Sequence, residues 1–266
     1  MSVAAARRTA VATLAGIVVT VALCGGALAP HDPVTPLGAP WSPPGDGSLL
    51  GTDVLGRDVL SRVLAGGRQL TLTAGAAAVV AAAVGITGGL LAGWRDGLLS
   101  RLLHAAADLL LAVPLLLIAM LFAFSLPATA AVIAATVCGG APLTLRIVGD
   151  AVRQIRHAGY VDAALGRGES GTTILGREIL PALAALAGTE IGARFLVALQ
   201  LAAALSLLGL GPAPPAPDWA GMIRENVSGA GLSPAALVAP AVALAALSLT
   251  VAAAGGAAAR HTRRPL

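Results

Sequence analysis

Six apolar stretches, at about 10–29, 70–93, 103–125, 127–148, 183–208 and 235–258, alternate with polar segments along this chain. Each is close to the roughly 20 residues that carry an α-helix across a bilayer core. Hydrocarbon offers no water to backbone amides, so a segment that crosses it satisfies them internally, as a helix does. The pattern predicts an all-α polytopic membrane protein with six transmembrane helices. The connection from Ser125 to Thr129 is short and uncharged, so the third and fourth spans form a tight hairpin. Three parts follow: an N-terminal helix and polar loop at 1–69, a core at 70–258 that holds a polar loop at 149–181, and a tail at 259–266.

Within the first polar segment, Pro30, Pro33, Pro36, Pro40, Pro43 and Pro44 keep the early chain extended or turning. Val54, Leu55, Val59, Leu60, Val63 and Leu64 then recur at helical spacing. Thr52 or Asp53 is placed to cap that helix, since a side-chain oxygen there accepts free amide hydrogens. The expected element is an amphipathic helix on the membrane face, with Arg57, Asp58 and Arg62 in solvated pairs. In the second polar segment, Val152, Ile155, Tyr160, Val161, Ala164 and Leu165 give a partial helical face. Gly166, Gly168 and Gly171 interrupt it, and Ile174, Leu175 and Ile179 offer a second helix that ends near Pro181. After the fifth span, Gly209, Gly211 and a proline cluster stop the helix, and Trp219 is expected as an interfacial anchor.

Composition agrees with a membrane chain: 57% of residues are hydrophobic and 11% charged, where a soluble domain carries about twice that charge. Glycines such as Gly85, Gly88, Gly89 and Gly93 fall inside a span, where small residues let helices approach closely. The net charge of +4 comes from arginines in short loops beside the spans, a pattern that sets topology and does not require nucleic acid. With the N-terminus inside, Arg7, Arg8, Arg95, Arg101, Arg146, Arg153, Arg156, Arg167, Arg177, Arg260, Arg263 and Arg264 lie inside. Only Arg57, Arg62, Arg68 and Arg224 lie outside, so both termini are expected in the cytoplasm. Arg7-Arg8, the apolar run and Ala27-Leu28-Ala29 also fit a cleavable signal peptide. A run of about 20 residues exceeds a usual signal core and favours a retained helix. Cys24 and Cys138 both fall in apolar spans and read as small buried hydrophobes.

No enzyme constellation stands out. His31, His104, His157 and His261 are scattered without metal-ligand spacing, so no metal and no cofactor is expected in this chain. The absence of Lys excludes a standard phosphate-binding loop. Asp108, Glu190, Arg194 and Gln200 are polar positions within spans, where charge is costly and often functional. Asp108 is read as a snorkelling or capping carboxylate, or as a functional one. Glu190 and Arg194 are four apart and share a helix face. They are candidates to line a translocation path, or to form a satisfied pair between subunits.

Three strings together resemble one family. Gly51-Thr52-Asp53, Gly56-Arg57-Asp58 and Ser61-Arg62, followed by Gly67-Arg68 and Leu72, resemble the segment before the second span in dipeptide, oligopeptide and nickel permeases of ABC importers. Tyr160-Val161-Asp162-Ala163-Ala164, Gly168, Ile174, Arg177 and Leu180-Pro181 occupy the frame of that family's cytoplasmic signature. Asp162 stands where the family has Glu, Glu178 where the branch has His, and Ala182 where Asn is common. Leu207-Leu208-Gly209-Leu210-Gly211, Pro214-Pro215, Pro217, Trp219 and Met222 match a third string. The resemblance covers about residues 30–258 and implies a type I ABC importer permease fold in a bacterial cytoplasmic (inner) membrane. It implies that Tyr160, Val161, Asp162, Ala163, Ala164, Gly168, Arg177, Leu180 and Pro181 belong to a coupling loop that docks on an ATPase subunit.

The resemblance further implies four partners: a second related permease, two ATP-binding subunits that hold ATP and Mg, an extracytoplasmic binding protein, and the lipid around them. This subunit is then no enzyme, and its cargo is a di- or oligopeptide. Nickel chelates, glutathione and haem are the alternatives within the same complex type. An ion-coupled secondary transporter or channel is the alternative of another class; it calls for inverted repeats with broken helices. No such repeat is visible, although Gly85 to Gly93 is a stretch able to unwind.

Overall fold

The computed structural model describes residues 3–262 except Asp46 and Arg95; for 3–12, Tyr160, Asp162, Leu165, Thr172 and 256–262 it describes the backbone alone. The described residues form ten α-helices joined by turns. Helix α1 (Val3–Cys24) ends in a 3₁₀ turn, Gly25–Leu28. A long irregular segment then leads to α2 (Val59–Trp94), 36 residues and about 54 Å at ~1.5 Å per residue. That exceeds a ~30 Å hydrocarbon core, so part of α2 stands outside it. The boundary expected between 69 and 70 thus falls inside one continuous helix.

Among the described residues, four helices are long and apolar enough to cross a membrane: α2, α5 (Ala128–Arg156), Leu175–Leu207, and α10 (Pro234–Thr262) over Pro234–Gly255. The stretch expected as one span at 103–125 is instead two helices, α3 (Leu98–Ala112) and α4 (Leu115–Ser125), bent by 85°. Pro114 explains the break. Its ring holds Val113 extended, at φ −92 and ψ 128, and it has no N–H to continue the ladder. The apolar part of α1 described with side chains, Thr13–Leu28, is shorter than a span.

Glycines set the central packing. A Cβ on Gly85 would meet the Ala141 carbonyl at 2.7 Å, one on Gly89 the Val148 Cβ at 2.7 Å, and one on Gly93 the Val152 Cβ at 2.7 Å. The positions advance together, so α2 and α5 run parallel with their backbones close. The chain between them must therefore return through the thickness of the bundle. Ser100 donates to the Ala92 carbonyl at the far end of α2, and Gln69 donates to Thr129 at the start of α5, at 2.8 and 3.2 Å. The bent pair α3–α4 accordingly starts near one end of the α2–α5 pair and finishes near the other. Helix α8 (Leu180–Leu207) runs antiparallel to α5, as Thr144 faces Glu190 and Gly140 faces Arg194.

The core between these helices is rich in alanine, with Ala74, Ala77, Ala119, Ala135 and Ala198 all inaccessible. Large apolar side chains such as Leu109, Leu121, Phe124 and Leu249 point outward and are at least two-thirds exposed. Lipid is the solvent that accepts such a surface.

Candidate functional site

At one end of the bundle the polar loop between α5 and α8 folds into α6 (Gly159–Gly166), α7 (Gly171–Ile174) and a π turn, Leu175–Ile179. The polar island begins inside α5, which carries Asp150, Arg153 and Arg156 on its last two turns. Gly168 sits at φ +79, a left-handed conformation that glycine adopts without strain, and reverses the chain between the two short helices. The helix expected to end near Pro181 does not end there. The π turn runs into α8, with the Leu180 amide donating to the Leu175 carbonyl and Pro181 in the first turn of α8. Pro181 has no N–H to donate to this continuous ladder, and the wider π turn lies immediately before it.

Val161, Ala164 and Ile174 are buried against Trp94 and Ile155, which fastens α6 and α7 to the ends of α2 and α5. Ala163, Gly168, Arg177, Leu180 and Pro181 are exposed. The side chains of Tyr160 and Asp162 lie outside the described residues. Arg167 pairs with Glu169 at 2.6 Å, and Arg156 reaches Asp96 at 2.5 Å and the Trp94 carbonyl at 2.9 Å. Arg156 holds the Asp96 carboxyl below its ordinary value, first by hydrogen bonding and then by charge. An apolar groove of about 720 Å³, lined by Leu90, Leu91, Trp94, Leu99, Leu175 and Leu180, opens beside the loop.

At the opposite end the first polar segment behaves differently from expectation. Residues 52–58 form a tight turn and no helix; Asp58 caps α2, its carboxylate accepting the Ser61 amide at 3.0 Å. Asp53, Arg57, Asp58 and Arg62 are buried to 3% exposure or less, where solvated pairs were expected. The Asp53 carboxylate accepts the Leu55 and Arg57 amides at 2.8 and 2.9 Å, the Arg57 Nε at 2.8 Å, and Arg62 Nη1. That many donors on one carboxylate explain why the chain turns here instead of coiling.

The second carboxylate of this network, Glu225, comes from α9 (Trp219–Asn226) in the last long loop. It accepts Arg57 and Arg62 at 3.1 and 3.0 Å. Asn226 accepts the Val54 amide and the Trp41 indole at 2.9 and 3.3 Å. Trp219, expected at an interface, is 3% exposed. Its indole donates to the Val63 carbonyl at 2.7 Å and lies over Gly66 and Gly67. The first and third sequence strings are thus two halves of one polar lock. Asp58 is pushed up by burial but held below its ordinary value overall by hydrogen bonds from Ser48, Ser61 and His31. Burial pushes the Asp218 carboxyl up, against the Gly221 amide and Ser206 that stabilise its charge. A cavity of about 270 Å³ beside the lock is lined by Arg62, Ser206, Asp218, Arg224 and Glu225 among others.

Between the two ends, Glu190 and Arg194 are each 6% exposed. Glu190 accepts the Thr144 hydroxyl at 2.7 Å, Arg194 donates to the Gly140 carbonyl at 3.1 Å, and the two ions lie 3.5 Å apart. The pair therefore has partners on α5 of its own chain. Asp108, on α3, pairs with Arg146 of α5 and is mostly exposed. Glu225, Asn226, Trp41, Thr144 and Gly140 carry no mark in the sequence, because a polar partner more than 40 positions away leaves no periodic signal.

Residues 85–264 match the family described as binding-protein-dependent transport system inner membrane component. The chain is 34% identical over 203 residues to the glutathione transport system permease protein GsiD of Pectobacterium atrosepticum, covering 76% of this chain and 67% of that protein. It is 37% identical over 196 residues to the proteins of the same name from Escherichia coli O6:K15:H31 and Shigella boydii serotype 4, covering 73% of this chain and 64% of each. The chain thus spans about two thirds of the length of these relatives. The helical bundle, its apolar exterior and a family match over most of its length agree: the chain belongs to the binding-protein-dependent transport system inner membrane components, the permeases of ABC importers.

Proposed function

We propose that this permease carries small peptides across the cytoplasmic membrane in a complex driven by separate ATPase subunits. Six spans, α1 and the broken pair α3–α4 included, put both termini and the 159–181 loop in the cytoplasm. That arrangement agrees with the arginine count and with the parallel course of α2 and α5. A homologous permease completes the path, and an extracytoplasmic binding protein delivers cargo to the end that carries the Asp53–Glu225 lock. ATP and Mg act in the ATPase subunits, through their differing affinity for open and closed states.

The observation that carries this reading is the build of the cytoplasmic loop. Its apolar face, Val161, Ala164 and Ile174, is fixed to the ends of α2 and α5. Its other face, with Ala163, Gly168 and Arg177, is exposed. A surface bolted to two crossing helices on one side and free on the other is suited to receive a push. The names of the relatives favour glutathione, itself a tripeptide, within the small-peptide class. Co-purification with the ATPase subunits tests the docking. Changing exposed Ala163 to Arg is expected to abolish their capture and leave the permease monodisperse; unchanged capture would remove the loop from the docking surface. Glutathione-stimulated against dipeptide-stimulated ATP hydrolysis in the reconstituted complex separates the two cargoes.

A further inference from the structure

Helix α5 has a weak point at mid-length. Pro142 lies inside it and donates no N–H, so one rung of the ladder is missing there, next to Gly139 and Gly140. A helix bends most easily at such a site. The two residues of α5 that α8 grips straddle it: Gly140 lies two positions before the proline and Thr144 two after. Arg194 takes the Gly140 carbonyl at 3.1 Å and Glu190 takes the Thr144 hydroxyl at 2.7 Å, with the two ions 3.5 Å apart closing the ring. The contact is tight as well as polar, since a Cβ on Gly140 would sit 2.9 Å from the Arg194 side chain. Helix α8 has no proline between Glu190 and Arg194, so it serves as a splint across the weak point.

We infer that Glu190 and Arg194 are positioning residues that lock the Pro142 hinge of α5 to α8. Displacement of the cytoplasmic loop then passes up both helices instead of being absorbed as a bend. The loop sits between the ends of these two helices, at 157–179, so both arms receive the same push. This assigns the intramembrane ion pair to force transmission and not to contact with cargo. It rests on the reading of the loop as the element that the ATPases move.

The test uses the complete importer in nanodiscs and reads ATP hydrolysis and uptake together. Glu190→Leu with Arg194→Leu removes both charges at once, an exchange that buried pairs often tolerate without loss of fold. The expected result is an assembled complex with ATP hydrolysis within about twofold of wild type and uptake per ATP down at least about tenfold, with an unchanged KM for cargo. Adding Pro142→Ala restores the missing rung and is expected to recover most of the uptake per ATP. A changed KM at intact coupling, unaltered coupling, or no recovery with Pro142→Ala would each overturn the inference. If the double variant does not assemble, a second measurement decides. Thr144→Cys with Glu190→Cys, in a chain with Cys24 and Cys138 changed to Ser, is bridged with a short bifunctional thiol reagent. A clasp that stays shut keeps transporting when bridged, and blocked transport overturns it. Failure of wild-type chain to capture the ATPases would instead sink the docking reading, a different readout.

Discussion

Asp53→Asn isolates what holds the Asp53–Glu225 lock closed. The side chain is inaccessible, and its Oδ2 receives two guanidinium groups, from Arg57 and Arg62. Asparagine preserves shape and keeps an acceptor for the Leu55 and Arg57 amides. Its NH₂ group, however, turns a donor toward two donors. Two charge-assisted hydrogen bonds are lost, at about 1.5–3 kcal/mol each. Glu225 still faces both arginines and recovers part of this. The expected cost is about 3–5 kcal/mol, the range for removing one partner of a buried pair. If the lock opens as a local unit, that raises its opening equilibrium by roughly 10² to 10³-fold or more. Hydrogen exchange at amides 52–58, followed by mass spectrometry, reads this directly. The acceleration should change little with salt, because buried charges are weakly screened. Exchange accelerated by less than about threefold, under ~0.7 kcal/mol, would refute the claim that Asp53 organises the turn.

Three further outcomes follow from the same geometry. Gly89→Leu drives a side chain into Val148 and is expected to destabilise the detergent-solubilised chain by about 1–3 kcal/mol or more, read as a lower thermal midpoint. Gly75→Leu, with nothing within 4 Å, is the control and should move it little. Asp58 has a folded pKa below its ordinary 3.8, so its stabilisation is full above that value and is lost as pH falls through the lower folded one. Exchange in 30–58 should therefore rise in acid below about pH 4, and less so in Asp58→Asn, which starts looser. Asp218 is displaced upward by burial, so stability is lost as pH rises from its ordinary 3.8 through the raised value. Asp218→Asn keeps an acceptor for the Gly221 amide, now 2.7 Å away, and is expected to flatten that part of the pH–stability curve; an unaltered curve would contradict the assignment.

Hydropathy makes the four long apolar helices α2, α5, α8 and α10 legible, since lipid imposes one requirement on every backbone group in a span. Pro114 is visible in the sequence, yet a proline within an apolar run signals either a kink or a break. The structure shows a break of 85°, with Leu115 at the start of α4 packed against Gly139 of α5. The first loop was misread because Val54, Leu55, Val59 and Leu60 do recur at helical spacing. What overrides that spacing is a carboxylate, Asp53, that satisfies the amides of Leu55 and Arg57 and so offers the backbone a competing partner. Trp219 was expected at an interface for the same reason of locality: its partners, Val63, Gly66 and Gly67, lie some 150 positions earlier. The family strings themselves located both ends of the lock, although not that they touch.

The mechanical consequence joins these features. The parallel approach of α2 and α5 over Gly85, Gly89 and Gly93 leaves each helix seated between side chains of the other. Sliding by one residue would drive Val148 or Val152 into a backbone, so the two helices move together or not at all. Helix α8 joins this body twice, through the Thr144–Glu190–Arg194–Gly140 ring and through Leu183, which with Ile179 of the preceding π turn packs on Val148 and Val152. A push at the 157–179 loop therefore meets a three-helix body and not three separate rods. The same body ends at the Asp53–Glu225 lock, where α2 supplies Arg62 and the loop after α8 supplies Glu225. Movement of the body shifts both sides of that lock in step, so the loops that form it ride with it instead of being pulled apart.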